Sequence, residues 1–186
     1  MNAYDFDETI YHYDCTLTFS RWCWTHYPRI MLRWPALAWN SILKKIGRLT
    51  KHVYMERFYQ YLHDVPDVAQ EVERFWDDQE KYMHTWYKSV QQPDDLLISA
   101  SPYFLVRPIA DRLGIRNVLA SPLNPATGLY EGERCHGEGK VRALRKAFPG
   151  AEINLFYSDS MSDAPMAKVA KRAYLVRGES LTDWPA

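Results

Sequence analysis

The chain has 186 residues, enough for one sizeable core or a core with a modest insertion. Its 23 basic and 23 acidic side chains cancel to a formal net charge of zero, which argues against a nucleic-acid partner. No apolar run reaches the roughly 18 residues of a membrane span. The three cysteines (Cys15, Cys23 and Cys135) are odd in number and lack a CxxC pair, so neither a disulfide frame nor a zinc site is expected.

The chain opens with a short apolar stretch running into "AYDFDETIY", and residues 1–7 read as a buried strand ending on two aspartates. Strand alternation would turn Asp5 and Asp7 toward one spot. Two carboxylates that close repel unless a cation or a shared proton relieves them. The stretch therefore suggests a metal site or an acid/base pair, with an acidic surface turn as the bland alternative. This start also lacks a secretory leader, so a cytoplasmic, reducing location is expected.

Residues 15–92 read as mostly helical. Val68, Val72, Phe75, Trp76, Tyr82, Met83 and Trp86 fall near helical spacing, Pro28 and Pro35 break the earlier part, and Pro93 ends the block. Between Cys15 and Met55 there is no acidic residue, against seven lysines and arginines and four tryptophans (Trp22, Trp24, Trp34 and Trp39). From Glu56 to Asp95 the balance reverses. Two helical segments that neutralise each other would explain this. So would a basic, tryptophan-bearing face for an anionic lipid or another phosphate-rich ligand, with peripheral contact at an inner membrane face.

Beyond Pro93 the pattern alternates. "DDLLISAS" is a strand, "PYFLVRPIADRLG" a helix stopped by Gly114, "RNVLAS" a strand and "PATGLYEGERC" a turn and hairpin. "GKVRALRKAF" is a helix, "EINLFYSDS" a strand, "DAPMAKVAKRA" a helix and "AYLVR" a last short strand. This predicts an α/β fold with a parallel sheet, composed of residues 1–14 and 93–186 and interrupted by an all-helical insert over 15–92. Ligands of such sheets lie off the carboxyl ends of the strands. Three polar clusters sit there: Asp5/Asp7/Thr9, Ser99/Ser101 and Ser158/Asp159/Ser160/Asp163.

"DFDET", "LLISAS", "GEGKV" and "YSDSMSD", in that order, resemble the four motifs of the haloacid dehalogenase (HAD) superfamily of phosphohydrolases. The place of the insert resembles the helical-cap branch that includes phosphoserine phosphatases. "RCHGEGKVRAL" with "YSDSMSDAPM" resembles the phosphatidylglycerophosphatase C type more closely. One departure is that Ser158 and Ser160 stand where the fourth motif commonly carries glycines. The resemblance implies a Rossmann-like core with a specificity cap and a Mg²⁺-dependent phosphomonoester phosphatase. It implies Asp5 as nucleophile forming an aspartyl-phosphate, and Asp7 as general acid/base. Mg²⁺ would be held by Asp5, the backbone carbonyl of Asp7, and Asp159. Ser99, Ala100 and Lys140 would hold the phosphoryl group, with Asp163 and Thr9 in support.

Singly these residues have plainer explanations. Lys140 could be a solvated helix-start lysine, Ser99 a strand-end cap, and Asp159 and Asp163 acids at a helix N-terminus. Glu8, His12 and Asp14 are near the site but receive no role, and His136 beside Cys135 reads as structural. The expected substrate is a lipid-derived phosphate such as phosphatidylglycerophosphate. A small soluble ester such as phosphoserine is the alternative, and a non-catalytic phosphate-binding module is a third reading.

Overall fold

The computed structural model describes residues 1–185. Eight strands and eight α-helices, with short 3-10 turns between them, follow one another along these residues. β1 (Ala3–Tyr4) leads into the helical block: α1 (Cys15–His26), α2 (Trp34–Lys45), α3 (Lys51–Tyr59), α4 (Val68–Gln79) and α5 (Thr85–Val90). Then come β2 (Leu96–Pro102), α6 (Tyr103–Arg112), β3 (Asn117–Ser121), the hairpin β4 (Leu123–Asn124) and β5 (Leu129–Tyr130), and α7 (Glu138–Ala147). β6 (Leu155–Ser158), α8 (Ala164–Val169), β7 (Arg172–Arg177) and β8 (Ser180–Asp183) complete the chain.

The main sheet has the order β3-β2-β1-β6-β7-β8, parallel except for β8, which pairs antiparallel with β7. Because β1 pairs with β2 on one side and β6 on the other, the chain leaves it in both directions, and the crevice between β1 and β6 is the place where such sheets take ligands. The expected parallel α/β sheet is present. The first strand is shorter than the predicted 1–7, since only Ala3 and Tyr4 pair on both sides. After Asp5, whose amide still reaches the Tyr157 carbonyl at 2.8 Å, the chain turns over itself: three amides, those of Thr9, Ile10 and Tyr11, converge on the Phe6 carbonyl. β8 was not foreseen; its four residues are all exposed and carry no buried stripe to read.

The helical start signals are local and physical. Asp14, Thr50 and Asp67 cap α1, α3 and α4 by accepting from the backbone amides of Leu17, Val53 and Gln70. Glycine with φ of +72° ends α6 at Gly114. α4 lies against α6, and its fully buried Trp76 donates its indole N–H to the Leu105 carbonyl at 2.8 Å. One apolar cluster runs continuously from Phe19, Phe75 and Trp76 of the block to Tyr4 and Leu97 of the sheet and Val106 of α6. No helix among the described residues is long and apolar enough to cross a membrane. The three cysteines are free and buried.

Candidate active site

The predicted strand-end residues converge. Asp5 leaves β1 with its carboxylate accepting from the Phe6 amide at 2.8 Å and from Lys140 Nζ at 2.9 Å. Lys140 also donates to Asp163 at 2.6 Å, and Asp163 accepts from the Ser158 hydroxyl at 2.8 Å. Lys140, Asp163 and Ser158 are all buried, so this ion cluster is closed and hydrogen-bonded throughout, as a buried charge requires. Burial works against the Lys140 charge, but the flanking Asp5 and Asp163 carboxylates outweigh it and hold the ammonium above the ordinary lysine range. Burial pushes the Asp5 carboxyl above its ordinary range, with Lys140 opposing.

Lys140 is delivered by an unusually tight helix start. Gly137, at φ +55° and ψ −123°, precedes α7, and a Cβ on Gly139 would sit 2.3 Å from the Arg134 carbonyl oxygen. Only glycine lets α7 begin that close to the preceding loop. This puts the lysine of its first turn under the β1–β6 crevice.

Asp7 reaches the same cavity by a different route from the one predicted. It lies beyond the strand, where a turn with Glu8 at φ +54° replaces the alternation of a pleat. Its carboxylate accepts from the Cys15 amide at 2.7 Å and from the Ser101 hydroxyl at 2.5 Å. Burial, with Asp14 adding to it, raises its carboxyl to about 6. Ser101 continues through Thr16 (3.1 Å) to the Tyr59 hydroxyl (3.3 Å), so a hydrogen-bonded chain links Asp7 to α3 of the insert. Ser99 is fully buried; its hydroxyl accepts from the Ser101 amide at 3.0 Å and lies 3.5 Å from Asp7. The residues of that strand end that line the cavity are Ala100 and Ser101.

Thr9 accepts from the Asp159 amide at 3.0 Å, stitching the first turn to the end of β6. Ser158 and Ser160 occupy positions where glycine is common, and both have hydroxyl roles: Ser158 bonds Asp163 and Ser160 caps the turn at Ser162. The substitution therefore leaves the loop closed.

A cavity of about 380 Å³ opens on Asp5 and Asp7; Lys140, Asp163, Ser99 and Thr9 do not line it but stand behind the residues that do. Asp5, Asp7, Glu8 and Asp159 line one part, and α3 and the loop before α7 line another through Lys51, Arg134 and His136. Among the described residues the Asp159 carboxylate has one side-chain partner, the Thr9 hydroxyl at 3.5 Å, and burial followed by the nearby Glu8 raises its pKa. Carboxylates lining one cavity, that of Asp159 with so weak a partner, offer the hard oxygen donors that suit Mg²⁺. Glu8, Asp14 and His136, assigned no role from sequence, line the cavity. The only signal for Glu8 and Asp14 was their nearness to Asp7 in the chain. A separate group, His12, His84 and Glu179, is a structural clasp: Glu179 accepts from His84, Thr85 and Trp86 at the start of α5.

An α/β sheet whose β1–β6 crevice holds paired aspartates, a buried lysine and a further acidic pair defines a class of hydrolase core. The chain belongs to the haloacid dehalogenase-like hydrolase family, whose model matches residues 3–168. It is 33% identical over 106 residues to a probable phosphatase of Mycobacterium tuberculosis, Rv3661, a match covering 50% of this chain and 37% of that protein. It is 34% identical over 92 residues to phosphoserine phosphatase SerB1 of the same organism, covering 45% and 30%. The matched segment is thus only about a third of the length of these relatives. A Bordetella pertussis protein of unknown function superposes with a TM-score of 0.74 at 20% identity, covering 93% of this chain and 87% of that one. A phosphoserine phosphohydrolase-like protein from Francisella tularensis gives 0.56 at 15% identity, covering 93% and 86%.

Proposed function

We propose that the protein is a Mg²⁺-dependent phosphomonoester phosphatase working through an aspartyl-phosphate. The observation that carries this reading is Asp5 held beside Lys140 at the floor of the cavity, with Asp7 hydrogen-bonded alongside it. The Asp5 carboxylate attacks phosphorus as the bond to the alkoxide breaks, and Asp7 gives its proton to the leaving oxygen. Water then attacks the aspartyl-phosphate as Asp7 takes its proton, releasing inorganic phosphate and the free Asp5 carboxylate. Lys140, Ser99 and Ala100 receive the phosphoryl oxygens. Asp163 fixes Lys140, and Thr9 fixes the loop carrying Asp159. A bound Mg²⁺ would offset the repulsion between the substrate dianion and Asp5, with Asp5, Asp159 and the backbone carbonyl of Asp7 as its oxygen donors. Rapid acid quenching during turnover, followed by peptide mass spectrometry, should find phosphate on Asp5. Phosphate found on another residue, or on none under saturating substrate, would overturn the covalent mechanism.

Residues 15–92 serve in this reading as the specificity cap, closing over residues 1–14 and 93–186. For the substrate, the favoured class is a lipid-borne phosphate. α2 buries only Asn40, which accepts from Arg57 of α3 at 2.7 Å, while Trp34, Trp39, Ile42 and the neighbouring Leu32 and Ile46 are exposed. Lys44, Lys45 and Arg48 flank this apolar surface, and α3 beneath it lines the cavity. Apolar and aromatic side chains among cations suit the interface of an anionic bilayer. Cosedimentation with phosphatidylglycerol vesicles at low salt, weakened by high salt and by Trp39→Ser with Ile42→Ser, is the expected result. A second reading, a soluble phosphoserine phosphatase, is favoured by the names of the M. tuberculosis relative and of several structural neighbours. Absence of vesicle binding at low salt would favour it.

A further inference from the structure

We propose that Lys51, Arg134 and His136 form a second anion subsite, which takes a negatively charged group on the alcohol portion of the substrate. The proposal rests on the reading of the Asp5 end as the phosphoryl site. The three residues come from opposite sides of one cavity: Lys51 begins α3 in the insert, while Arg134 and His136 lie on the loop that delivers Lys140. Lys51 Nζ stands 3.3 Å from His136 Nε2, so the two sides touch here.

The charge of this group is unmet. Arg33, Arg74, Arg107, Arg112, Arg142 and Arg172 each pair with a carboxylate, whereas of the arginines without such a partner only Arg134 lines the cavity. Among the described residues, neither Lys51 nor Arg134 has such a partner within 4.0 Å. The Arg134 guanidinium lies over the Tyr130 ring, 5.5 Å from its centroid, and its Nε is buried with no hydrogen-bond partner. Orphaned buried donors are uncommon, and an arginine fork in a cavity wall is the shape that receives a carboxylate or phosphate. Burial, then repulsion from Arg134 and Lys44, lowers the Lys51 pKa, so a bound anion would relieve existing strain between like charges.

The shared chemistry fits two sources: the carboxylate of a phosphorylated amino acid, or the phosphodiester of a phospholipid headgroup. Calorimetric titration of the Asp5→Asn protein, with Mg²⁺ present and turnover suppressed, separates them. One pair of ligands is O-phosphoserine and phosphoethanolamine. The other is dihexanoyl phosphatidylglycerophosphate and dihexanoyl phosphatidic acid. In at least one pair, the member with the second anion should bind about tenfold more tightly or better. Arg134→Met and Lys51→Met should each cut that advantage to about twofold or less, with Arg134→Lys retaining part of it. The unsubstituted protein should hydrolyse p-nitrophenyl phosphate, and the circular dichroism spectrum and melting temperature of Arg134→Met should match those of the unsubstituted protein, which shows that the fold is intact. The pair that discriminates names the source. Discrimination in neither pair, or equal weakening of both members by Arg134→Met, overturns the subsite. Failure to hydrolyse p-nitrophenyl phosphate at all would instead overturn the phosphatase reading, while the binding comparison would still judge the subsite.

Discussion

Lys140 is bound by two carboxylates at once, and the proposed mechanism uses that double contact. With Asp163 at 2.6 Å and Asp5 at 2.9 Å, it can keep one partner while offering its charge to an incoming phosphoryl oxygen. Gly139 makes this geometry available, so Gly139→Ala should lower turnover about tenfold or more through misplacement of α7 against Arg134. A steady-state assay with a melting curve beside it would check this; unchanged turnover would show that α7 adapts freely. The two serines of the β2 end should separate kinetically. Ser101→Ala removes the hydrogen bond to Asp7 and should lower kcat about tenfold with little change in KM, whereas Ser99→Ala should act mainly on KM. The acids and the serines were legible because they cluster after strands, and the lysine because it opens a helix behind a glycine. The path from Asp7 through Ser101 and Thr16 to Tyr59 was not. Its members come from four separated segments, and nothing in local spacing marks a hydroxyl that packs 43 residues away from its partner.

At the level of elements, apolar periodicity and turn residues announced most helices and strands. It failed where burial is absent. β8 has no buried residue, and the first strand, with two paired residues, was overextended because "AYDFDETIY" carries no breaker. α2 shows the opposite case. Its sequence has the aromatics of a core helix, yet Trp39 is 60% exposed and Leu32, just before the helix, 83%. The turn between β7 and β8 has a testable role. Hydrogen bonds from His84 first, with Thr85 and Trp86 adding to them, hold the Glu179 carboxyl down at about 2. A depressed folded-state pKa contributes stability above the unfolded value of roughly 4.3 and loses it as pH falls toward 2. Glu179→Gln should therefore lower the melting temperature by a few degrees at pH 7, with the gap closing between about pH 4 and pH 2. Parallel melting curves across that range would show it. A gap independent of pH would mean that the clasp does not depend on the charge.

On the scale of the molecule, the helical insert and the sheet share one apolar core, with Trp76 pinned to the Leu105 carbonyl at their junction. The helical block is therefore anchored through α1, α4 and α5, while α3 and the start of α1 line the cavity. Trp76→Ala should destabilise the whole chain by about 3–5 kcal/mol in one cooperative transition. A separate early melting step for the insert would contradict a shared core. In the proposed mechanism Asp5 is the nucleophile of a Mg²⁺-dependent phosphomonoesterase. The most direct test is phosphate release from phosphatidylglycerophosphate in mixed micelles, beside phosphoserine and other soluble phosphates, with Asp5→Asn as the blank. Release should need Mg²⁺, stop with chelator and disappear in Asp5→Asn. Undiminished release from Asp5→Asn in the presence of chelator would rule out both the nucleophile and the metal.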